Sequence, residues 1–347
     1  MTAGSRDQNP LVGWRLDPEQ IGFVGHDLAR PECILAEPDG GLWTADARGG
    51  VVHIAPDGSS HFIRQTFAGG ADQGAEGAAP SLFEGTLPNG LAFAANGELL
   101  IANFGTEALE LMTRDGRSRV ILDAIDGMPL GAVNFVLRDS KGRLWITVST
   151  RIKPWSQAIC SRYADGYIIL VDDKGPRVVA DGLRFANEIR FDAREEWLYV
   201  AETCARCVTR FRVGADGTLT DREVYGPSSL GSGLIDGIAF DAFGNLWATM
   251  ILADQLVAIT PEGERLLLFG DGDPEATARF DAEFDSEEVV SGETIAATGG
   301  KFAPWLTSVT FGGPDLRTVY LGSLKGTRLP CFTSPVAGLP MIHWSER

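Results

Sequence analysis

The stretch IDGIAFDAFGNLWATM, residues 235–250, contains a pattern that occurs six times along the chain. A polar residue is followed by an apolar run, a turn and a second apolar run. The other copies are PECILAEPDGGLWTAD (31–46), PNGLAFAANGELLIAN (88–103), VNFVLRDSKGRLWITV (133–148), ANEIRFDAREEWLYVAE (186–202) and TSVTFGGPDLRTVYLG (307–322). Short apolar runs separated by Gly, Pro and Asp turns indicate strands.

Further short apolar runs follow the copies, so each unit predicts four strands. Four strands per unit, repeated six times, predict an all-β fold, a six-bladed β-propeller with four antiparallel strands per blade. A solenoid is the competing architecture, but it needs polar capping units, which neither terminus resembles. In a closed ring, we expect the stretch around Gly22 to Val24 to complete the last blade.

The whole chain, residues 1–347, is predicted to be a single propeller domain, with residues 1–20 as an N-terminal extension. Residues 270–304, rich in acidic residues, Gly and Ala, form a predicted loop insertion before the last blade. Three interpretations of this segment stay open: an outer hairpin with a long loop, a lid over the mouth of the central channel, or a solvated connector. The Gly- and Ala-rich residues 68–85 form a similar small, flexible stretch.

The charge balance excludes several classes of partner. With 30 Lys and Arg against 47 Asp and Glu, the net charge is −17, which disfavours nucleic-acid binding. The chain has no apolar run of about 18 residues and no secretory pattern, so we expect no membrane partner. Five scattered cysteines indicate reduced thiols in a cytoplasmic protein, and the pair Cys204 and Cys207 is interpreted as structural or incidental.

The polar residue that opens each copy is the candidate for function. In a propeller the inner strand of each blade lines the central channel, so six equivalent positions converge on one mouth. These positions are Glu32, Asn89, Asn134, Asn187, Asp236 and Ser308.

Four of the six provide two carboxylates and two amide oxygens: Glu32, Asn134, Asn187 and Asp236. An all-oxygen set of this kind suits Ca²⁺, Mg²⁺ or Mn²⁺. Two carboxylates in one buried mouth raise each other's pKa, and a cation relieves that cost. Asn and Asp at strand ends often cap turns instead, but a shared offset in four copies, with a Glu among them, favours the metal. For Asn89, which Gly90 follows, a turn role stays open.

Other catalytic patterns are missing from the sequence. The segment GPSSL, residues 226–230, lacks the final Gly of a nucleophile elbow, and the four histidines show no catalytic spacing.

Across residues 20–345 the chain resembles the senescence marker protein/gluconolactonase family, which includes regucalcin and bacterial sugar lactonases. Glu32 in PEC matches the first-blade Glu of that family. Asn187 in FANEIRFD matches its metal-binding Asn, with Glu188 where Gly is usual. Asp236 in LIDGIAFDAFGNLW matches the most specific motif, D-G-[ILM]-x-x-D-x-x-G-x-[LI]-W. Asn134 matches the Asn of an Asn-Asp pair in that family, and Phe135 stands where the family has the Asp.

The resemblance implies a metal-dependent hydrolase that opens a lactone ring, with a small-molecule lactone as its partner. Asp236 would be both metal ligand and catalytic base, and the cofactor would be one divalent metal ion, Ca²⁺ foremost, with Zn²⁺, Mg²⁺ or Mn²⁺ as alternatives. Asn134, Asn89 and Phe135 are predicted to contact substrate. Relatives carry an Arg two residues before the Asn, where this chain has Ala132; together with Phe135, this indicates a more apolar ligand.

Other functions remain open for the same scaffold. It also resembles phosphotriester-cleaving diisopropylfluorophosphatases, paraoxonases, and strictosidine-synthase-like proteins, which use no metal for their condensation. A protein- or ligand-binding propeller is the alternative outside enzymes. The regularly placed Trp43, Trp145 and Trp247 are interpreted as blade packing, and the convergent acids favour an enzyme.

Overall fold

The turn glycines of the repeats lie where the chain reverses between the first two strands of a blade. Gly40, Gly97, Gly142 and Gly244 all have left-handed φ angles, between 78° and 103°. A side chain at these positions would strain the backbone, so glycine makes the tight reversal possible. The apolar runs on either side then pair as antiparallel strands.

The structure, a computed structural model, describes residues 9–68 and 82–345. It confirms the six-bladed β-propeller. An N-terminal strand, β1 (Gly22–Val24), precedes the first blade. Blade I contains β2 (Ile34–Ala36), β3 (Leu42–Asp46), β4 (Gly50–Ile54) and β5 (Ser60–Arg64). Blade II contains β6 (Thr66–Phe67), β7 (Pro88–Phe93), β8 (Leu99–Asn103), β9 (Ala108–Met112) and β10 (Arg117–Leu122).

The remaining strands follow in chain order. A short hairpin, β11 (Ala124–Ile125) and β12 (Met128–Pro129), leads to blade III, which contains β13 (Val133–Arg138), β14 (Leu144–Val148), β15 (Gly166–Asp172) and β16 (Gly175–Leu183). Blade IV contains β17 (Ala186–Phe191), β18 (Trp197–Glu202), β19 (Cys207–Val213) and β20 (Leu219–Tyr225). Blade V contains β21 (Leu234–Phe240), β22 (Leu246–Ile251), β23 (Gln255–Ile259) and β24 (Arg265–Gly270). Blade VI contains β25 (Leu306–Gly312), β26 (Thr318–Ser323) and β27 (Leu329–Thr333).

The ring closes as the sequence predicts. Strand β1 pairs antiparallel with β27, with Phe23 opposite Pro330, and so supplies the outer strand of blade VI. One departure from four strands is in blade II, where β6 adds a fifth strand parallel to β10.

The insertion at residues 270–304 is helical where a loop or hairpin was expected. It contains α1 (Pro274–Asp285) and α2 (Gly292–Ala297). The side chain of Asp273 caps α1 by accepting from the backbone N–H of Ala276, and Pro274 occupies the first turn, a favourable start for a helix. Phe280 and Phe284, four residues apart on one face, are buried. Of the Gly- and Ala-rich stretch 68–85, residues 69–81 lie outside the described residues, as do residues 1–8 of the N-terminal extension.

The tryptophans pack between blades. Trp43, Trp145 and Trp247 are all buried, and each indole N–H donates to a carboxylate near the first turn of its own blade. The acceptors are Glu37, Asp139 and Asp241, at 2.5, 2.9 and 2.9 Å. This pairing satisfies the indole inside the core.

The cysteines are all free, and four of the five are buried. Burial raises the pKa of the Cys207 thiol to about 11 and raises that of Cys204 further. Both therefore stay protonated at neutral pH. Within residues 9–68 and 82–345, no helix has the length and apolar character needed to cross a bilayer.

Candidate functional site

The structure brings the six opening residues together at one mouth of the central channel. Glu32 lies just ahead of β2, and the others lie near the starts of the inner strands β7, β13, β17, β21 and β25. All six are buried, from 1% exposed for Ser308 to 6% for Asp236. We call Glu32, Asn134, Asn187 and Asp236 the oxygen ring, and this end of the channel the mouth.

A break in strand pairing places these side chains. In five blades the register between the first and second strands shifts at the opening residue. The shifts fall between Pro88 and Leu91, Val133 and Phe135, Ala186 and Ile189, Ile235 and Ile238, and Leu306 and Val309. Such bulges bend a strand and redirect its side chains. In these five blades the bulge therefore turns one polar residue out of the regular ladder.

Close contact between blades holds the mouth together. The hydroxyls of Ser308 and Thr307 donate to the Glu32 carbonyl, at 2.5 and 3.0 Å, and so link blade VI to blade I. A Cβ on Gly237 would lie 2.4 Å from the Thr307 carbonyl oxygen, so only glycine allows this approach. One on Gly90 would lie 2.6 Å from the Phe135 Cα.

Asn89 supports the oxygen ring from the side. Its Nδ2 donates to Glu32 Oε1 at 3.1 Å and to the Asn134 carbonyl at 3.2 Å. Its Oδ1 accepts from Arg30 Nη2 at 2.9 Å, and Arg30 Nη1 donates to the Pro88 carbonyl at 3.2 Å. Asn89, predicted to bind substrate, thus has its amide engaged with neighbouring residues and orients Glu32.

Each member of the oxygen ring has one buried oxygen with no hydrogen-bond partner among the described residues. The four atoms are Glu32 Oε2, Asn134 Oδ1, Asn187 Oδ1 and Asp236 Oδ1. The other end of the Asn187 amide is engaged, because Nδ2 donates to Thr203 Oγ1 at 3.1 Å. A buried polar atom without a partner is costly, and native structures contain few. Four such oxygens, one from each of four blades, fit a hard divalent cation.

The electrostatics of the oxygen ring agree with this fit. Burial raises the pKa of Glu32 well above its ordinary value, and the carboxylate of Asp236 raises it further. Burial, followed by the charge of Glu188, raises the pKa of Asp236 to about 8. Arg30 opposes both shifts without removing them. Both shifts favour the protonated carboxyl in the metal-free ring, whereas a bound cation would favour the charged form.

The composition of the ring separates it from sites built on acids and histidines. Within the described part of the chain, no group of three or more His, Cys, Asp or Glu side chains is placed to hold a metal ion. Two of the four oxygens here belong to amides. The assignment therefore depends on the unpaired oxygens and on their shared position in the repeat.

Sequence reasoning missed a charged pair beside the ring. Glu188 is 1% exposed, and its Oε2 lies 2.8 Å from Arg190 Nη2 and accepts from the Ile238 N–H at 3.2 Å. The Arg190 guanidinium lies over the Phe135 ring, 4.6 Å from its centroid. Phe135, predicted to contact substrate, is 1% exposed within an apolar cluster between blades. The sequence signal for the pair is the spacing of Glu188 and Arg190, two apart on one strand, which places them on the same face.

A cavity of about 400 Å³ lies at the opposite end of the channel. Arg138, Phe240, Phe311 and Met341 are among its lining residues, and no member of the oxygen ring is. The cavity and the unpaired oxygens of the ring therefore lie at different ends of the molecule.

Comparisons with known proteins place this site in context. The chain is 25% identical over 165 residues to a 6-deoxy-6-sulfogluconolactonase of Pseudomonas putida, covering 47% of this chain and 46% of that protein. It is 27% identical over 165 residues, with the same coverage, to a pentonolactonase of Haloferax volcanii. The chain thus spans about half the length of the curated relatives it matches.

Solved structures extend the similarity of fold. A calcium-binding protein, regucalcin, from Agrobacterium tumefaciens superposes with a TM-score of 0.62 at 15% identity, over 92% of this chain and 97% of that one. At this identity the likeness concerns the fold. The SMP-30/gluconolactonase/LRE-like region matches residues 31–268, more than half of the sequence and five of the six blades. The chain therefore belongs to the SMP-30/gluconolactonase/LRE-like family, as the sequence resemblance predicts.

Proposed function

We propose that this protein hydrolyses lactones at the oxygen ring, with one divalent cation held by Glu32, Asn134, Asn187 and Asp236. The observation that carries the proposal is the set of four buried oxygens that have no hydrogen-bond partner in the described part of the chain. The names of two curated relatives, both lactonases, support the reaction, and that of the calcium-binding regucalcin supports Ca²⁺ as the first cation to test. Zn²⁺, Mg²⁺ and Mn²⁺ are the alternatives.

A divalent cation at such a site supplies Lewis-acid polarisation of a carbonyl oxygen. The protein's own contribution is orientation. Asn89 fixes Glu32 through a 3.1 Å hydrogen bond, and Thr203 fixes the Asn187 amide so that its oxygen stays available. Because these partners are themselves buried, the site is organised before substrate arrives.

Asp236 is the residue proposed to move the proton. Its carboxylate accepts a proton from the water that attacks the lactone carbonyl carbon. The C–O bond of the ring then breaks, the proton passes to the departing alkoxide, and the product is a hydroxy acid. Burial and Glu188 raise the pKa of Asp236, so the carboxylate is a stronger base than an exposed aspartate. A cation in the ring would lower that pKa and so keep the carboxylate in its charged, proton-accepting form at neutral pH.

The test combines metal analysis with hydrolysis of a lactone panel. Purified protein is expected to retain one divalent ion per chain, and a chelator is expected to abolish hydrolysis until metal is returned. Asp236→Asn is expected to remove activity, whereas Glu110→Gln, a buried carboxylate in blade II away from the ring, serves as the matched control. Unchanged hydrolysis after chelation would overturn the proposal.

The same assay addresses the rival functions. Phosphotriester cleavage without lactone hydrolysis would move the protein to the phosphotriesterase alternative. Metal-independent amine–aldehyde condensation would support the synthase-like alternative, and absence of all three activities would favour a binding propeller.

A further inference from the structure

The residues two positions before the opening residues are mostly apolar. Five are apolar and one is charged: Arg30, Leu87, Ala132, Phe185, Leu234 and Leu306. Four of them, Leu87, Ala132, Phe185 and Leu234, belong to a single buried apolar cluster at the mouth end of the inner strands. Hydrocarbon therefore forms most of the wall beside the oxygen ring, and Arg30 is its charged member.

Residues from α1 and from the loops at the mouth complete this cluster, which we call the roof cluster. Its further buried members include Phe104, Leu252, Phe280, Phe284 and Trp305. Helix α1 is held over the mouth because Arg206 pairs with Asp281 and Asp285, each at 2.8 Å. The insertion before the last blade thus supplies part of the roof.

The polar groups nearest the roof cluster already have partners inside the protein. Thr203 Oγ1 accepts from Asn187, and the Ser149 hydroxyl donates to the Ala186 carbonyl at 2.7 Å. Both terminal nitrogens of Arg30 are used by Pro88 and Asn89. Two buried atoms beside the ring have no partner among the described residues: the donor Arg30 Nε and the acceptor Glu188 Oε1. These two atoms and the oxygen ring are the unpaired polar features at this end of the channel.

An aromatic path connects the roof cluster to the surface. The ring centroids of Phe185 and Phe104 are 6.2 Å apart, those of Phe104 and Trp155 are 5.0 Å apart, and those of Trp155 and Phe83 are 5.8 Å apart. Phe83, at the outer end, is 42% exposed. Phe185 has a left-handed φ of 60°, a costly conformation for an aromatic residue that often marks functional sites.

These observations fit a ligand with hydrogen-bond acceptors at one end and hydrocarbon elsewhere. A lactone ring has two acceptors and no donor. A sugar lactone adds several hydroxyl groups, each of which would enter the roof cluster without a partner. Each unsatisfied buried hydroxyl lowers binding about tenfold or more.

We propose that the substrate is an apolar lactone, an alkyl- or aryl-substituted ring without hydroxyl groups. Its carbonyl meets the oxygen ring, and its substituent lies among Ala132, Phe104 and Phe185. This assignment rests on the proposed lactone hydrolysis, and it names the chemistry that the roof cluster selects.

The experiment compares kcat/KM for δ-decalactone and dihydrocoumarin with that for glucono-1,5-lactone, using metal-loaded wild-type protein. The expected preference for the two apolar lactones is about 100-fold. Equal or faster hydrolysis of glucono-1,5-lactone overturns the substrate assignment while leaving lactone hydrolysis in place. Hydrolysis of none of the three removes the proposed function and the assignment with it.

A variant pair tests the wall itself. Ala132→Arg is expected to reduce the preference for δ-decalactone at least tenfold, because it places charge where the alkyl chain lies. Val224→Arg, on the half-exposed outer strand of blade IV, adds the same side chain far from the mouth and is expected to leave the preference unchanged. If Ala132→Arg folds and keeps the wild-type preference, the alkyl chain does not lie against Ala132. The wild-type comparison decides the substrate class whether or not this variant folds.

Discussion

Two aspartates near opposite ends of one inner strand, β21, differ in how the protein satisfies their oxygens. Asp236, at the mouth, has a buried oxygen that accepts no hydrogen bond from the residues that the structure describes. Asp241, at the far end, accepts from Asn245 Nδ2 at 2.7 Å and Trp247 Nε1 at 2.9 Å, and from backbone N–H groups of the turn. Burial raises the pKa of both, but only Asp241 has a full set of donors.

The two ends of the channel differ in strand pairing and in the hydrogen bonds made by their polar side chains. At the mouth the register breaks, and in four of the six blades the opening side chain keeps one buried oxygen with no partner among the described residues. At the far end regular pairing has resumed, and the C-terminal segment crosses the channel, with Gly338 bridging to Asp241 and His343 Nε2 lying 2.8 Å from the Ala36 carbonyl. Buried aspartates are equally present at both ends. The two ends differ in whether the described residues supply hydrogen-bond partners for these buried oxygens.

The largest expected effect is on catalysis at the mouth. Asp236→Asn is expected to lower lactone kcat/KM about 10³-fold, because it removes both a ring charge and the proposed base. Steady-state kinetics with saturating Ca²⁺ measures this. Asp241→Asn, measured at a temperature where it is folded, is expected to stay within a few-fold of wild type; comparable losses in both would erase the distinction between the two ends.

For stability we expect the opposite order, with the larger loss in Asp241→Asn. Asp241→Asn is expected to lower the free energy of unfolding by about 1–3 kcal/mol, because an amide cannot accept from all the donors around Asp241. Denaturant unfolding of both variants in chelator measures this. Asp236→Asn is expected to be at least as stable as metal-free wild type at pH 8, and a larger loss there than in Asp241→Asn would contradict the account.

A smaller effect is expected from the charged pair beside the ring. Glu188→Gln keeps a side chain able to accept from the Ile238 N–H but removes one negative charge near Asp236. Cation affinity is expected to fall about tenfold. Titration calorimetry measures it against Glu110→Gln, for which affinity is expected to equal that of wild type. An unchanged affinity in Glu188→Gln would show that its charge is not felt at the ring.

The smallest expected effect is a slope in stability with pH. The pKa of Asp236 is raised to about 8 in the folded metal-free chain and returns to its ordinary acidic value on unfolding. Between these values the folded state binds more protons, so stability falls as pH rises from about 4 to about 8.

Thermal unfolding across this range in chelator measures that slope. Metal-free Asp236→Asn should show a shallower slope than metal-free wild type, and so should wild type in Ca²⁺. Identical slopes in all three samples would contradict the shifted pKa.

Much of this molecule follows from its periodicity. The repeat predicts the six blades, the closure by Gly22–Val24, and the convergence of Glu32 and Asp236, because each depends on local pattern and ring symmetry. The bulges at the opening residues depend on pairing between strands, which a single strand's sequence does not specify.

The roof was harder to predict for a different reason. Its members from the repeat, such as Leu87 and Phe185, are joined by residues outside the repeat, including Phe280 of α1 and Trp305, and no periodicity marks these. Local signals existed for the helix, namely the Asp273-Pro274 start and the spacing of Phe280 and Phe284. Their packing over the mouth depends on tertiary contacts such as the ion pair between Arg206 and Asp281.

The most direct test of the central claim is calcium titration calorimetry on chelator-stripped protein. Wild type is expected to bind one Ca²⁺ per chain, and variants that each remove one ring oxygen or charge are expected to bind at least tenfold more weakly. The variants are Glu32→Gln, Asn134→Leu, Asn187→Leu and Asp236→Asn, with Glu110→Gln as the control expected to match wild type. If wild type binds no divalent cation, or if all four ring variants bind Ca²⁺ as wild type does, the oxygen ring is not a cation site.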